Sequence, residues 1–274
     1  MSNEKRTQPL GSDDSYDPAF FAHLARAEDA HFWFRARNDV IGTLLRQITP
    51  VSGDGFKILE AGCGTGNVLR LLEQTFPKAT IVGMDLFATG LQFARQRTTS
   101  FLVQGDLQRL PFVASFDLVG AFDVLEHFRD DLEVLGLLRS SLKPGGTLLL
   151  TVPAHLSLWS YFDKAAHHWR RYTLEELRQK LIQAGFEVGY LSYFMSTIFP
   201  IVWVGRRLAG FRTRGDNEPT NREHELTLRE LEIVPIVNEV LTFALKQEAH
   251  FIRRRWPLPF GTSLIAMAKK RTAS

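Results

Sequence analysis

The segment from Glu60 to Gly66, E-A-G-C-G-T-G, carries the residue types most suited to holding a charged ligand. Its three glycines lack Cβ atoms, so the backbone can adopt unusual angles and a ligand can approach the main chain closely. Glu60 stands where a phosphate-binding turn would avoid a negative charge, and it favours an ammonium or sulfonium group. Asp85 ends the next apolar segment, where its carboxylate could accept hydrogen bonds from both hydroxyls of a ribose. The glycine spacing is not the G-x-G-x-x-G of dinucleotide enzymes, and a cationic adenosine compound fits better than NAD.

An alternation of strands and helices would position these residues. The apolar run before Gly62 is typical of a buried parallel strand, and the helical spacing from Asn67 onward places the glycine turn at a helix N-terminus. The predicted strands lie near 57–61, 80–85, 101–104, 117–122, 147–153, 186–194 and 262–268. Such alternation predicts a parallel sheet with right-handed crossovers, which binds its ligand at the carboxyl ends of the strands.

Further motifs follow the glycines in order. They are Gly105-Asp106-Leu107 with Leu110-Pro111-Phe112, Phe116 to Val119 with Asp123 to His127, and Leu142 to Thr147. Together with the glycine turn they resemble the class I S-adenosylmethionine-dependent methyltransferases, specifically the bacterial type 11 and type 12 groups. The resemblance covers about residues 30–190 and the last strand. It implies an α/β fold, Rossmann-like and doubly wound, with a seven-stranded, mostly parallel sheet, an antiparallel last strand and a helical insertion between strands 6 and 7.

The resemblance also implies S-adenosyl-L-methionine as the cofactor and a set of residues that bind it. Asp106 would contact the adenine amino group, and Leu107 would offer a backbone amide. Cys63 is expected to pack against the ligand, because no activating base lies beside it in sequence. Asp123 could bind the ligand or only form a turn. The full predicted set is Glu60, Gly62, Cys63, Gly64, Gly66, Asp85, Leu86, Asp106, Leu107 and Asp123.

Catalysis from a methyl sulfonium depends mainly on aligning an acceptor and excluding water. A hydroxyl or protonated amine acceptor also needs a base, for which His168 is the first candidate, followed by His127 and His155. The segment 155–172 follows the fifth strand, is rich in histidines and aromatics, and is predicted to face the acceptor. The histidines could instead only order this loop through hydrogen bonds. They lack clear ligand spacing with carboxylates, so no metal site is predicted.

The function predicted from these features is methyl transfer to O or N of a small or lipid-like acceptor. One alternative is a cofactor-binding module of the same fold without its own catalysis, although the polar segment 155–172 argues against this. Another is methylation of protein or RNA. That reading lacks an Asn-Pro-Pro-Tyr-like motif after the fourth strand, where the sequence is Phe122-Asp123-Val124-Leu125.

The chain is predicted to divide into a core and added segments. Residues 1–16 are polar and predicted to be disordered, and 17–50 form a helical lid around the motif His31 to Arg37. The lid could close over the cofactor, with Trp33 or Phe34 excluding water, or be a plain amphipathic helix packed on the sheet. The methyltransferase core comprises 51–194 and 262–270, and 195–261 form a helical cap.

The cap is also the candidate for a membrane contact. It holds two apolar segments, 195–205 and 235–252, each followed by arginines, and both fall short of the ~20 apolar residues that span a bilayer. The basic clusters could be solvated faces or could meet an anionic membrane surface, and no motif supports nucleic-acid binding. A single cysteine and a polar N-terminus predict a cytoplasmic protein, peripheral to the membrane if the cap binds lipid. The sequence carries no signal of oligomeric state.

Overall fold

The computed structural model describes residues 20–48, 55–210 and 221–271. The predicted disordered tail, 1–16, lies outside the described residues, as do the two ends of the predicted lid and residues 211–220 of the predicted cap. The strands are β1 (Lys57–Ala61), β2 (Thr80–Asp85), β3 (Phe101–Gln104), β4 (Phe116–Phe122), β5 (Leu142–Pro153), β6 (Phe186–Phe194) and β7 (Ser263–Lys270). The helices are α1 (Phe20–Ala27), α2 (Phe32–Leu45), α3 (Asn67–Thr75), α4 (Ala88–Ala94), α5 (Asp131–Ser141), α6 (Tyr161–Ala165), α7 (Leu174–Gln183), α8 (Phe199–Gly210), α9 (Asn221–Glu230) and α10 (Pro235–Arg253).

The seven strands form one sheet in the order β3-β2-β1-β4-β5-β7-β6. β1 to β5 pair in parallel, and β7 runs antiparallel to both of its neighbours. The strand order reverses between β1 and β4, and this reversal creates the crevice in which doubly wound sheets bind ligands. The predicted Rossmann-like fold with an antiparallel last strand is therefore confirmed.

Two apolar cores lie on opposite faces of the sheet, because successive side chains of a strand point in opposite directions. In β1, Ile58 packs into the core formed with α2, α3 and α10, whereas Leu59 packs into the core formed with α5 and α7. Leu148 and Leu149 of β5 alternate in the same way. Both faces of the sheet are covered, which explains the continuous apolar runs of the central strands.

β5 is longer than predicted, since it begins at Leu142 and not near residue 147. Its first residue pairs with Phe116, and the register then shifts before Leu118 pairs with Thr147. The shift accommodates the Gly145-Gly146 pair, which precedes the predicted start of the strand near residue 147. Gly145 has φ +73°, a left-handed conformation that favours glycine.

The predicted N-terminal helical region divides into α1 and α2. The break occurs because Glu28 turns inward, where its carboxylate accepts hydrogen bonds from Thr65 and Arg97. His31 then begins α2 as its N-cap, and its Nδ1 accepts a hydrogen bond from the Trp33 amide at 3.3 Å. The break brings the end of α1 onto the glycine turn and α2 onto the sheet.

Three helices, α8 to α10, lie between β6 and β7. The two apolar segments predicted there form most of α8 and α10. The helix α9 is largely polar, and no apolar segment in the sequence predicted it. α10 packs along α2, where Asn238 accepts a hydrogen bond from the Phe32 amide at 2.7 Å and donates one to the Ala30 carbonyl at 2.9 Å. The added N-terminal helices and the insertion are therefore joined to each other as well as to the sheet.

Candidate active site

A cavity of about 1290 Å³ opens at the carboxyl ends of β1, β2 and β4. It is enclosed by α1, α2, the glycine turn, the segment after β5 and parts of α8 and α9. A site for a single drug-sized ligand occupies about 300–1,000 Å³. This cavity therefore has room for a nucleoside cofactor and a second molecule together.

All of the predicted cofactor-binding residues except Gly66 line this cavity. Glu60, Gly62, Cys63 and Gly64 come from the end of β1 and the turn after it, and the rest follow β2, β3 and β4. Gly66 instead lets the turn pack on α4, because a Cβ at this position would lie 3.0 Å from the Cα of Ala94. The structure thus brings together side chains that are far apart in sequence.

The glycine turn is fixed by backbone hydrogen bonds to the end of β2. The amides of Gly62 and Cys63 donate to the Met84 carbonyl at 2.7 and 3.0 Å. Gly62 has φ +75°, and a Cβ there would lie 2.5 Å from Cγ2 of Val124. A side chain at this position would both strain the backbone and collide with the segment after β4.

Glu60 is a buried carboxylate that faces the cavity. It is 3% exposed, and its Oε2 has no hydrogen-bond partner among the described residues. Burial raises the pKa of this carboxyl well above its usual range, and the nearby positive charge of Arg37 opposes the rise. An unpaired buried carboxylate oxygen costs free energy unless a ligand supplies a donor or a positive charge.

Asp85, Leu86 and Asp106 form a second part of the lining. The Asp85 carboxylate accepts hydrogen bonds from the amides of Gly64 at 2.7 Å and Phe87 at 2.9 Å. Burial raises the pKa of Asp85 above its usual value, and the hydrogen bonds from these backbone amides oppose the rise without cancelling it. Asp106 caps the short helical turn Leu107–Arg109 by accepting from the Gln108 amide at 2.9 Å. Each carboxylate oxygen has two lone pairs, so both residues keep acceptor capacity toward the cavity.

Arg37 of α2 connects the N-terminal helices to the site. Its guanidinium donates to the Asp123 carboxylate at 2.8 Å and lies 5.1 Å from the ring centroid of Trp33. Arg37 is 7% exposed, and its Nε has no hydrogen-bond partner in the described part of the chain. Asp123 itself has φ +56°, a strained conformation for a residue other than glycine. Strain of this kind is found most often at functional sites.

The opposite wall of the cavity holds His127 and His168 but not His155. The imidazole of His155 instead stacks on Tyr193, with ring centroids 4.9 Å apart. His127 and His168 meet edge to face, with ring centroids 4.8 Å apart. The pKa of His127 lies well below its usual value because of burial and, next, the charges of His168 and His167. Two of the three predicted histidines therefore face the site.

Asp163 orients His168. Its Oδ1 lies 3.0 Å from Nδ1 of His168 and accepts from Nε of Arg171 at 2.7 Å. Burial would raise the pKa of Asp163, but the hydrogen bonds from His168 and Arg171 lower it to about 2. Asp163 is also part of a capping box that starts α6 at Ser160. The same carboxylate thus fixes the loop and directs Nε2 of His168 toward the cavity wall.

Arg37 and Glu126 are cavity residues that the sequence did not mark as site candidates. Arg37 is the last residue of the aromatic motif H-F-W-F-R-A-R. The sequence does not distinguish which of its two arginines, Arg35 or Arg37, faces the site. Glu126 follows β4 and is fully buried, and burial together with the charge of Asp123 raises its pKa well above the usual range. The sequence feature that could have marked Glu126 as a site residue is its position directly before His127, just after the end of a predicted strand.

The donors and acceptors of the site complement S-adenosylmethionine. That cofactor carries a sulfonium, an ammonium, a carboxylate, a ribose diol and an adenine. The cavity offers buried acidic oxygens, a buried guanidinium nitrogen and a turn without side chains. Cationic groups of the ligand would compensate the acidic ones, and Arg37 would compensate its carboxylate.

Comparisons with known proteins agree with this chemistry. Residues 30–191 match the model of a family described as a methyltransferase domain. A stretch of 127 residues is 35% identical to the trans-aconitate 2-methyltransferase of Deinococcus radiodurans and covers 46% of each chain. A stretch of 103 residues is 38% identical to the fatty-acid O-methyltransferase of Mycolicibacterium smegmatis, over 36% of this chain and 37% of that one. The chain thus spans less than half the length of these curated relatives.

A solved structure has the same fold. The phosphoethanolamine N-methyltransferase 2 of Haemonchus contortus, in complex with S-adenosyl-L-methionine, superposes with a TM-score of 0.53 at 19% identity. The match covers 84% of this chain and 52% of that one. Because the family model covers more than half of the sequence and the fold agrees, the chain belongs to the S-adenosylmethionine-dependent methyltransferases.

Proposed function

We propose that this methyltransferase acts on O or N of a small or lipid-like acceptor. The observation that carries the proposal is the size and composition of the cavity, which exceeds the needs of one ligand. The polar side chains of Glu126, His127 and His168 form one wall of the cavity. The apolar side chains of Ile198, just before α8, and Val202, in α8, line the same space. An acceptor with a polar head and an apolar part would match both.

The proposed cofactor contacts follow from the chemistry of each side chain. Glu60 would bind the ammonium group, and Arg37 the carboxylate, of the methionine part. Asp85 would accept from the ribose hydroxyls, and Asp106 from the adenine amino group. Trp33 and Phe34 of the lid line the cavity and would exclude water.

In the proposed reaction, a lone pair of the acceptor attacks the methyl carbon in line with its bond to sulfur. The carbon–sulfur bond breaks, and its electron pair stays on sulfur. A protonated amine must lose its proton before the attack and a hydroxyl must lose it during the attack, in either case to a base, for which His168 is the first candidate. Alignment of the two molecules would contribute roughly 7–11 kcal/mol toward lowering the barrier.

Labelled cofactor tests this proposal most directly. The chain is incubated with methyl-labelled S-adenosylmethionine and with separate fractions of lipids, small polar metabolites, protein and RNA. We expect label in a lipid or small-molecule product, identified by mass spectrometry. Label only in the protein or RNA fraction would contradict the proposal and favour a macromolecular substrate.

We also propose that the insertion meets an anionic membrane surface. α10 buries Leu245 and Ile252 against the core, yet its outer side exposes Ile236 (81%), Val240 and Phe243 (69%). Other exposed apolar residues of the insertion are Ile201, Trp203, Val204, Ile233, Val234, Val237, Phe251, Trp256 and Phe260. Ile236, Val240 and Phe243 are spaced to share one face of α10, and an apolar helix face left exposed in this way marks an interaction site.

Charge supports a membrane as the partner. Arg253, Arg254 and Arg255 are exposed at the end of α10, and Arg207 is exposed on α8. Arg206, in contrast, pairs with Glu230 at 3.2 Å. None of the helices in the described ranges has the length and hydropathy that crossing a bilayer requires. In a contact with the membrane surface, the apolar side chains would enter the membrane–water interface and the arginines would meet the anionic head groups.

Sedimentation with liposomes tests the membrane proposal. The parent chain should sediment with vesicles that contain anionic lipid and much less with neutral ones. Replacement of Arg253, Arg254 and Arg255 by Gln should weaken binding roughly 100-fold, since each basic residue contributes about 1 kcal/mol. In the control variant, Lys57, Lys78 and Arg95, which lie outside the insertion, are replaced by Gln. This variant loses the same amount of positive charge and should bind vesicles as the parent does. If the parent sediments with neither lipid, the insertion is a lid and not a membrane contact.

A further inference from the structure

A cluster of three potential ligand groups lies on the acceptor side of the cavity. Glu126 and His127 belong to the helical turn Leu125–His127 that follows β4, and His168 lies in the loop after α6. One ligand atom from each of the three lies within 4.8 Å of the other two. His168 is far from Glu126 and His127 along the chain, and this separation explains why the sequence predicted no metal site. The fold brings the three residues together.

Glu126 is the member that most needs a partner. It is fully buried, and neither carboxylate oxygen has a hydrogen-bond partner among the residues that the structure describes. Nε2 of His168 lies 4.0 Å from its Oε1, too far for a hydrogen bond. The other two carboxylates nearby are each paired with an arginine, Asp123 with Arg37 and Asp163 with Arg171. The carboxyl group of Glu126 therefore lacks a hydrogen-bond partner among the described residues, unlike its two neighbours.

Both histidines are held in the manner of metal ligands. In most metal sites, a ligating histidine hydrogen-bonds through its other ring nitrogen to a carboxylate or a backbone carbonyl. Nδ1 of His168 lies 3.0 Å from the Asp163 carboxylate, so Nε2 points its lone pair toward Glu126. The ring of His127 has a hydrogen-bonding contact with the backbone of Ala166. The contact with Asp163 leaves Nε2 as the ligating nitrogen of His168, and Ala166 offers His127 a supporting contact of the same kind.

We propose that Glu126, His127 and His168 bind a divalent transition-metal ion such as Zn²⁺, Mn²⁺ or Co²⁺. Two imidazoles and one carboxylate suit these ions better than Mg²⁺ or Ca²⁺, which prefer oxygen ligands. Ligand atoms at about 2.1 Å from one tetrahedral ion lie roughly 3.4 Å apart, so separations of up to 4.8 Å must shorten by up to about 1.4 Å on binding. Rotation of the Glu126 side chain and of the two imidazoles would have to supply this movement.

The inference deepens the proposed function and rests on it, because all three ligand residues line the part of the cavity assigned to the acceptor. Coordination of an acceptor hydroxyl would lower its pKa and leave a second lone pair of the oxygen free to attack the methyl group, whereas an amine acceptor would be held through a neighbouring oxygen so that its nitrogen lone pair stays free. The proton is released to water. His168 then acts as a ligand and not as the general base predicted from the sequence.

Direct metal binding tests this inference without any acceptor. The tag-free chain is stripped with a chelator and titrated with Co²⁺, and the visible absorption of the bound ion is followed, with Zn²⁺ as competitor. We expect one ion per chain, displaced by Zn²⁺. Glu126→Gln and His168→Gln should each weaken binding by at least tenfold, while His23→Gln, an exposed histidine of α1, should bind as the parent does.

Asp163→Asn adds a readout of the supporting contact, since loss of such a partner weakens metal binding about 10–100-fold. Circular dichroism and S-adenosylmethionine titration of every variant show that the fold and the cofactor site persist. Absence of bound Co²⁺ and Zn²⁺ at millimolar concentration, or equal affinity of the parent and Glu126→Gln, would overturn the metal site. If such a chain still methylates its acceptor, the proposed function stands and His168 returns to the role of base.

Discussion

Replacement of Asp131 by Ala is expected to lower the free energy of unfolding by about 3–5 kcal/mol. Asp131 begins α5 and is 2% exposed. Its carboxylate accepts from Arg170 at 3.0 Å, from the hydroxyl of Tyr172 at 2.8 Å and from Lys180 at 2.8 Å. Removal would leave two cations without this partner and a buried hydroxyl unpaired, and loss of one member of a buried pair costs more than the pair contributes.

Urea unfolding, followed by circular dichroism, measures this loss. The matched control is Glu133→Ala, which removes an exposed carboxylate from the same turn of α5 and should change the free energy by less than about 0.5 kcal/mol. Because Asp131 connects α5 to α7 and to the segment that carries His168, the variant should also lose methyl transfer. Equal stability of the Asp131→Ala and Glu133→Ala chains would show that this cluster does not hold the acceptor wall.

The second large effect is expected from Gly62→Val, which should weaken cofactor binding by at least 100-fold. The backbone at Gly62 has φ +75°, where a β-branched residue is strained, and a Cβ would lie 2.5 Å from Cγ2 of Val124. Relief of the collision requires movement of the turn or of the segment after β4. Either movement displaces the surface against which the cofactor is proposed to lie.

Much of the cavity lining proposed for the cofactor could be predicted because its signals are local. The glycine turn directly follows an apolar strand, Asp85 ends the next strand along the chain, and the parallel sheet then brings the two strand ends together. The length of β5 was not predictable in this way, because the bulge opposite Phe116 depends on pairing with β4. The helix α9 likewise contains only two apolar residues in ten, Leu226 and Leu228, so no apolar segment marks it in the sequence.

The acceptor side depends on contacts between distant segments, and sequence reasoning reached it only in part. His127 and His168 face the cavity, but His155 turns away because its ring stacks on Tyr193 of β6. The pairing of Arg37 with Asp123 and the burial of Glu126 arise from the packing of α2 and of the loop after α6 onto the end of β4. The spacing of these residues along the chain does not predict their contacts in the fold.

Calorimetric titration with S-adenosylmethionine tests the central claim, that the cavity at the ends of β1 and β2 binds the cofactor. The parent chain should bind one equivalent, and Gly62→Val should bind at least 100-fold more weakly. Gly136→Val is the matched control, because a Cβ at this exposed helical position meets nothing within 4 Å. Asp85→Ala should also bind more weakly, by roughly 5–100-fold, since it loses hydrogen bonds worth about 1–3 kcal/mol. Parent-like affinity in both Gly62→Val and Asp85→Ala would contradict the assignment of this cavity as the cofactor site.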